Sequence, residues 1–383
     1  MVTNLSNIMN KKIVVLNWMD ITNPDAGGQE KYVYEMSKRL IREGYRVIWL
    51  TSGYSGSDSK EILSGIEIIR TGSIYTYFIK YFKYYLKLRK GAIFFLSMNS
   101  IPFIFPFRKR SRFLMLHHRI ELKVMKEKIG ILGYFAYFLQ EFLNPIIYRN
   151  DLVITNSQSS KEDFKRLGYR NITVTKLGID LPDLNLDLKR KWIVSPGPVK
   201  PWKRHDLAMK AFSQLDNEWK MVIFGMFESE TYRQSLVSLS DDLGIRDRVM
   251  FLGRISDDEV KKIYRESKIC VLGTEKEGWG IVAMEAQSYG CPVVAFEVSG
   301  IKENVINGTT GILVKFGDVD AMAKAMKELI SDDVLYNKMS RSAMERAKGY
   351  TWDECYLEFV KELRKVLTPS IDHINWNILE NSS

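Results

Sequence analysis

The chain has 383 residues, 45% of them hydrophobic and 27% charged, with a formal net charge of +10. That length exceeds what one hydrophobic core usually supports, and the composition is neither disordered nor collagenous, so two folded domains sharing a cleft are expected. Three cysteines (Cys270, Cys291, Cys355) and four histidines, with no Cys/His cluster, exclude a disulfide framework and a zinc ribbon and fit a reducing cytoplasm.

The opening run MVTNLSNIMNKK has no apolar core, so no signal peptide is expected. KIVVLNW (12–18) reads as a buried parallel strand. It leads into NWMDITNPDAGGQEKYVYEM, where Gly27 and Gly28 stand just before a helix predicted over 28–43. Glycines there let backbone N–H groups approach an anion, and the helix dipole favours a phosphate. An ordinary strand-to-helix turn would look the same, and no G-x-G-x-x-G fingerprint argues for a dinucleotide.

Further strands are predicted over 46–51, 92–96, 113–117 and 152–156, and helices over 123–149 and 157–167. The most apolar stretch, 91–107, is interrupted by Ser97, Asn99, Ser100, Pro102 and Pro106. It falls short of the ~20 apolar residues that span a bilayer. Residues 1–180 hold 28 basic against 15 acidic side chains, a net of +13, whereas 181–383 hold 28 against 31, a net of −3. Of 38 Phe and Tyr, 19 fall between Tyr75 and Tyr148, in runs such as YTYFIKYFKYYLKLRK. Basic residues among aromatics fit nucleic-acid stacking, an anionic membrane surface, or a core flanked by solvated Lys and Arg.

A polar stretch, LGIDLPDLNLDLKRK (177–191), separates the halves. Beyond it strands are predicted over 192–196, 221–224, 249–252, 269–272, 292–296 and 312–314, with helices over 204–215, 256–267 and 280–289. Ser256 and Glu259 form a capping-box pattern. Alternating strands and helices on both sides of the break imply an α/β protein of two doubly wound domains. Ligands in such sheets bind beyond the carboxyl ends of the strands.

The richest stretch is CVLGTEKEGWGIVAMEAQSYGCPVV (270–294). A strand runs into a polar loop, and a helix opens at about Gly280. Gly278 and Gly280 leave room for backbone donors at the positive helix end, where a diphosphate would fit. A carboxylate beside a phosphate repels it, so Glu277 is expected to face hydroxyls. Glu285, flanked by Met284 and Ala286, could accept from vicinal hydroxyls of a ribose.

The segment EGWGIVAME, with Glu277 and Glu285 separated by seven residues, resembles the paired-glutamate motif of the retaining GT-B glycosyltransferases of group 1. The resemblance runs nearly the full chain, through GGQEKYVYEMSKRLIREGYRVIWLTS, ITNSQSSKEDFKRLGY, TVTKLGID, KPWKRHDLAMKAF, VMFLGRISDDEVKKIYRESKICVLGTEKEGWG and GTTGILV. It implies two Rossmann-like domains, 1–182 on the acceptor side and 183–351 binding a nucleotide sugar, facing across a cleft, with a C-terminal helix 352–367 crossing back to the first.

By position, the resemblance implies Lys203 on the diphosphate and Glu285 on the ribose. It implies Glu277 on the transferred sugar, backbone around Gly278, Trp279 and Gly280 on the phosphates, and Gly27 and Gly28 closing on the donor. His117 matches the family's histidine facing the sugar, with His118 the weaker candidate. The family's usual arginine before the lysine is missing, since Pro198 follows Gly197, and Lys200 or Arg204 would substitute. Gly273-Thr274 and Lys176-Leu177 replace the usual Pro-Ser and Pro-Asn.

The activity implied is transfer of a sugar from a UDP- or GDP-sugar to a hydroxyl of a lipid-linked or envelope-glycan acceptor, with retention of configuration. Other possibilities are a nucleotide-sugar epimerase, a disaccharide synthase, or a non-enzymatic binder of anionic surfaces or nucleic acid. Asp318-Val319-Asp320 imitates a D-x-D metal signature, but its place before a helix predicts an N-cap. Neither metal nor resident cofactor is expected. The expected location is cytoplasmic, peripheral at an anionic membrane surface, with no nucleic-acid partner.

Overall fold

A computed structural model describes residues 12–73, 76–98, 112–117, 134, 137–182 and 189–367. The chain forms two compact units. The first takes residues up to Asn156, Ser160–Lys176 and the chain from Cys355; the second takes Ser157–Ser159 and Leu177–Glu354.

The first unit is built on strands β1 (Lys12–Leu16), β2 (Arg46–Thr51), β3 (Lys60–Leu63), β4 (Ile66–Arg70), β5 (Ala92–Met98), β6 (Arg112–His117), β7 (Leu152–Thr155) and β8 (Asn171–Val174). Their order is β3-β4-β2-β1-β5-β6-β7-β8. All pairings are parallel except β3 with β4. β1 (KIVVL) is central and covered on both faces, which is why it reads as an unbroken apolar run. Its alternate residues serve two cores. Val14 and Leu16 meet Tyr77, Tyr81 and Tyr85 of helix Tyr77–Leu88, Tyr148 of helix Asn144–Tyr148 and Phe164 of helix Gln158–Arg166.

The opposite face is covered by helix Gly28–Arg42 and by the part of helix Trp352–Leu367 that belongs to this unit. Phe359 packs against Tyr32 and Phe95, with ring centroids 6.4 and 5.3 Å apart. Cys355 Sγ donates to the Lys176 carbonyl at 3.0 Å, and Glu358 accepts the Lys176 N–H at 2.6 Å.

The hairpin β3–β4, strand β8 and helix Tyr77–Leu88 are elements that sequence pattern did not anticipate. Of the helix expected over 123–149, residues 123–133, 135 and 136 lie outside the described residues. Its end is a π-helical turn, Leu139–Leu143, followed by helix Asn144–Tyr148.

The second unit carries β9 (Trp192–Pro196), β10 (Lys220–Phe224), β11 (Val249–Gly253), β12 (Ile269–Leu272), β13 (Val293–Phe296) and β14 (Gly311–Val314), all parallel in the order β11-β10-β9-β12-β13-β14. Residues 193 and 194 of β9 face opposite ways: Ile193 packs with Phe212 and Met326, and Val194 with Tyr264 and Ala286. Helices Glu230–Asp242 and Asp333–Lys348 add to those expected. Ser256 and Glu259 do form a capping box. Asp318 Oδ1 accepts the Ala321 N–H at 2.9 Å and caps helix Val319–Ser331, while Asp320 accepts from Gln214 at 2.7 Å.

Both sheets contain a point where strand order reverses. In the first it lies between β1 and β5, in the second between β9 and β12. Loops leaving the carboxyl ends there diverge, and the crevice between them is where open α/β sheets hold ligands.

Candidate functional site

In the second unit the loops after β9 and β12 meet at the reversal point. The first ends in a 3-10 turn, Pro201–Lys203, and the second runs from Gly273 to Gly280 before helix Ile281–Ser288. They are joined across their length. The Trp202 carbonyl accepts from the Glu275 N–H at 3.0 Å and from Thr274 Oγ1 at 3.4 Å. Lys203 Nζ donates to Glu277 Oε2, with both side chains largely shielded from solvent.

Arg204 takes the left-handed conformation (φ +49°), uncommon for a residue with a Cβ. This turns its carbonyl toward Gly273. A Cβ at 273 would lie 2.2 Å from that oxygen, so glycine at this position lets the two loops touch. Gly300 has the same function on the other side, since a Cβ there would lie 2.3 Å from the Glu277 carbonyl.

The mouth of helix Ile281–Ser288 is held by Asn304, a fully buried residue of helix Ile301–Asn304. Its Nδ2 donates to the carbonyl of Trp279 and, at 3.3 Å, to that of Gly280. Asn304 is fixed in turn, because its own carbonyl accepts from Gln287 at 3.2 Å and Arg346 at 3.1 Å. With these carbonyls tied back, the Ala283 N–H bonds Gly280 O. Among the described residues the N–H groups of Ile281 and Val282 have no acceptor, as the first turn of a helix leaves them. An ammonium and a positive helix end therefore occupy one small region, which suits an anion.

Glu285 lies one turn into that helix, half-buried, with Tyr264 Oη 3.5 Å from its Oε2. Burial, and then the neighbouring Glu285 charge, raise the Tyr264 phenol well above its ordinary range. Behind Lys203, His205 is buried and its Nδ1 is 2.9 Å from Ser195 Oγ. Burial, followed by the Lys203 charge, lowers its pKa to about 4, so it is neutral at pH 7.

The structure thus brings Lys203, Glu277, Gly278, Trp279 and Gly280 together, with Glu285 on the same helix. Arg204 is engaged elsewhere, its guanidinium paired with Asp206 at 3.0 and 2.9 Å. Lys200 lies over the Trp202 ring at 5.0 Å. Gly27 and Gly28 lie in the first unit. The Gly27 N–H donates to Glu30 Oε2 at 2.9 Å and so is taken up by a capping box. His117 is the last residue of β6, opposite Met98, and His118 lies outside the described residues. Asn304, Tyr264 and His205 escaped sequence reasoning. Asn304 and Tyr264 act through contacts 17 or more residues away, and His205 shows only as a histidine beside the expected lysine.

The family profile described as "Glycosyl transferases group 1" matches residues 179–346, and "Glycosyltransferase Family 4" matches 26–182. A D-inositol 3-phosphate glycosyltransferase of Corynebacterium glutamicum (strain R) is 31% identical over 180 residues, covering 44% of this chain and 42% of that one. One from Mycolicibacterium gilvum is 28% identical over 223 residues, covering 54% and 50%. The chain thus matches half or less of these relatives' length. Among solved structures, sucrose-phosphate synthase from Thermosynechococcus elongatus matches with TM-score 0.77 and 20% identity over 94% of this chain and 100% of that one. Anabaena Alr3699/HepE, solved in complex with UDP and glucose, matches with TM-score 0.71 and 17% identity over 92% and 99%. These structural likenesses establish the fold, two Rossmann-like α/β domains of the GT-B type.

Proposed function

The chain belongs to the group 1 glycosyl transferases, and on that premise we propose that it transfers a sugar from a nucleotide sugar to an acceptor hydroxyl, with retention of configuration. The observation that carries this is the Lys203–Glu277 pair at the mouth of helix Ile281–Ser288, where cationic and backbone donors converge beyond the carboxyl ends of β9 and β12. The donor's diphosphate takes Lys203 and the helix N-terminus. Glu277, displaced from Lys203, then accepts from hydroxyls of the sugar, and Glu285 from those of the ribose. In the first unit, His117 is assigned to the sugar, and Gly27 and Gly28 to the donor, on the family resemblance alone.

The acceptor oxygen attacks the anomeric carbon on the face that the diphosphate leaves. The bond from anomeric carbon to phosphate oxygen breaks with its electron pair going to phosphate, and a phosphate oxygen takes the acceptor's proton. Lys203 and the oriented N–H groups stabilise the negative charge that builds on the leaving group. Asp318 and Asp320 are engaged in a helix cap and a side-chain bond. The reading therefore relies on protein charge and places no metal there. Its donors are UDP- or GDP-sugars and its acceptors lipid-linked or envelope glycans. D-inositol 3-phosphate glycosyltransferases among the relatives and UDP in the HepE complex support the class of reaction.

The test is a thermal-shift screen of UDP-, GDP- and ADP-sugars. A ligand at 100 times its dissociation constant adds about 2.7 kcal/mol of stability. One nucleotide class is expected to stabilise the wild type, and Lys203→Ala and Glu285→Ala each to abolish the shift while remaining folded. Unchanged shifts in both variants would remove these residues from the donor site.

A further inference from the structure

We propose that one outer side of the first unit docks on an anionic lipid bilayer, through helix Tyr77–Leu88 and the segment that ends in helix Asn144–Tyr148. This deepens the reading of a lipid-linked acceptor and rests on it for its purpose. The surface itself is defined without reference to catalysis.

Two independent apolar stripes point outward. In the second segment Tyr134, Phe138, Phe142 and Ile146 recur at intervals of four and are 48, 54, 58 and 75% exposed. Phe138 and Phe142 stack at 5.1 Å. An α-helix of 3.6 residues per turn would rotate a four-residue repeat steadily off one line. The π-helical turn Leu139–Leu143 widens the helix there and brings the repeat back toward that line. In helix Tyr77–Leu88 the inner stripe Tyr77, Tyr81 and Tyr85 is buried, while Phe82 and Leu86 are exposed. Tyr85 and Tyr148 enter the same core, so both helices lie on one face of the sheet and their outer stripes share one side of the unit.

Among the described residues of these two segments, every exposed charged side chain is basic. Lys80, Lys83, Lys87 and Lys90 are exposed, and residues 76–98 contain no Asp or Glu. In 137–150 the sole acidic residue is Glu141, which is half-buried and acts on Tyr169; Arg149 is exposed. Exposed apolar side chains with four lysines on or just beyond one helix and an arginine at the end of the other match an interface of acyl chains beneath anionic headgroups. A second copy on a twofold axis would set lysine against lysine.

Co-sedimentation with vesicles tests this, using the full chain, phosphatidylcholine alone and an equal mixture with phosphatidylglycerol. Wild type is expected on the mixed vesicles only. Lys83→Gln/Lys87→Gln/Lys90→Gln is expected to partition about 100-fold less, since each basic residue near such a surface contributes about fivefold. Phe138→Ser/Phe142→Ser/Ile146→Ser is expected to weaken binding more than tenfold at any salt concentration. These positions are exposed, so both variants are expected to keep the wild-type melting temperature and nucleotide-induced shift. That second readout separates loss of the docking face from failure of the donor-site reading. Equal vesicle binding by all three proteins would overturn the proposal. So would a wild-type dimer that the aromatic variant converts to monomer, or salt-sensitive RNA binding without vesicle binding.

Discussion

Asn304→Ala isolates the clamp at the helix mouth. Asn304 Nδ2 is the donor to two carbonyls, those of Trp279 and Gly280, on buried residues. Each hydrogen bond contributes about 1 kcal/mol net, and a buried carbonyl left without a donor loses about 1–3 kcal/mol. Arg346 and Gln287 cannot replace the amide, because they already hold the Asn304 carbonyl. The loss should total about 3 kcal/mol. For a unit of roughly 180 residues that lowers its melting temperature by about 6–12 °C. Asn304→Asp keeps the volume but aims oxygen at oxygen, so it should be the worse variant at pH 7. Differential scanning calorimetry of the full chain measures both, and titration with the stabilising nucleotide measures the site. If Asn304→Ala melts within about 1 °C of wild type, or binds nucleotide as tightly, Asn304 does not hold the loop in place.

Two further outcomes follow from buried charge. His205 has its pKa lowered to about 4 by burial and then by Lys203, so between that value and its unfolded pKa near 6.5 the unfolded chain binds more protons. Stability should fall by about 3 kcal/mol as pH drops from 7 to 4 on this account. Urea titrations at several pH values should show a shallower decline in His205→Gln, and parallel declines would refute the assignment. In the first unit, Asp20 and Arg70 form a buried pair at 2.9 Å, and Arg70 also reaches Glu61 at 2.7 Å. Breaking a buried pair from one side usually costs about 3–5 kcal/mol. Glu61 keeps Arg70 partly neutralised, so Asp20→Asn should lie at the lower end, about 3 kcal/mol, by chemical unfolding. A loss below about 1 kcal/mol would mean the pair behaves as a surface one.

Much of the fold was legible because its central strands are uninterrupted apolar runs. β1, β2, β9 and β12 each occur where pattern put them, within two residues. The hairpin was not legible. KEIL in β3 is a half-exposed edge strand of four residues, and its turn uses Ser64 and Gly65, both at positive φ, in place of a familiar Asn-Gly. Helix Tyr77–Leu88 hid its period because Phe82 and Tyr84 sit among the inward-facing Tyr77, Tyr81 and Tyr85.

At the site, Lys203 and Glu277 could be named through the family resemblance. Their direct pairing could not, because it depends on the way two loops 74 residues apart fold against each other. Arg204 shows the reverse case. Its charge suggested a phosphate contact, while its left-handed backbone and the adjacent Asp206 direct it to a local partner.

The loops after β9 and β12 share a backbone hydrogen bond, an ion pair and a close approach that tolerates no Cβ at Gly273. They are one mechanical part made from two stretches of chain. A graft of 273–280 into a related scaffold would need 197–204 carried with it, and a length change in either would have to be answered in the other. For anyone redesigning donor choice, the smallest exchangeable piece is the pair.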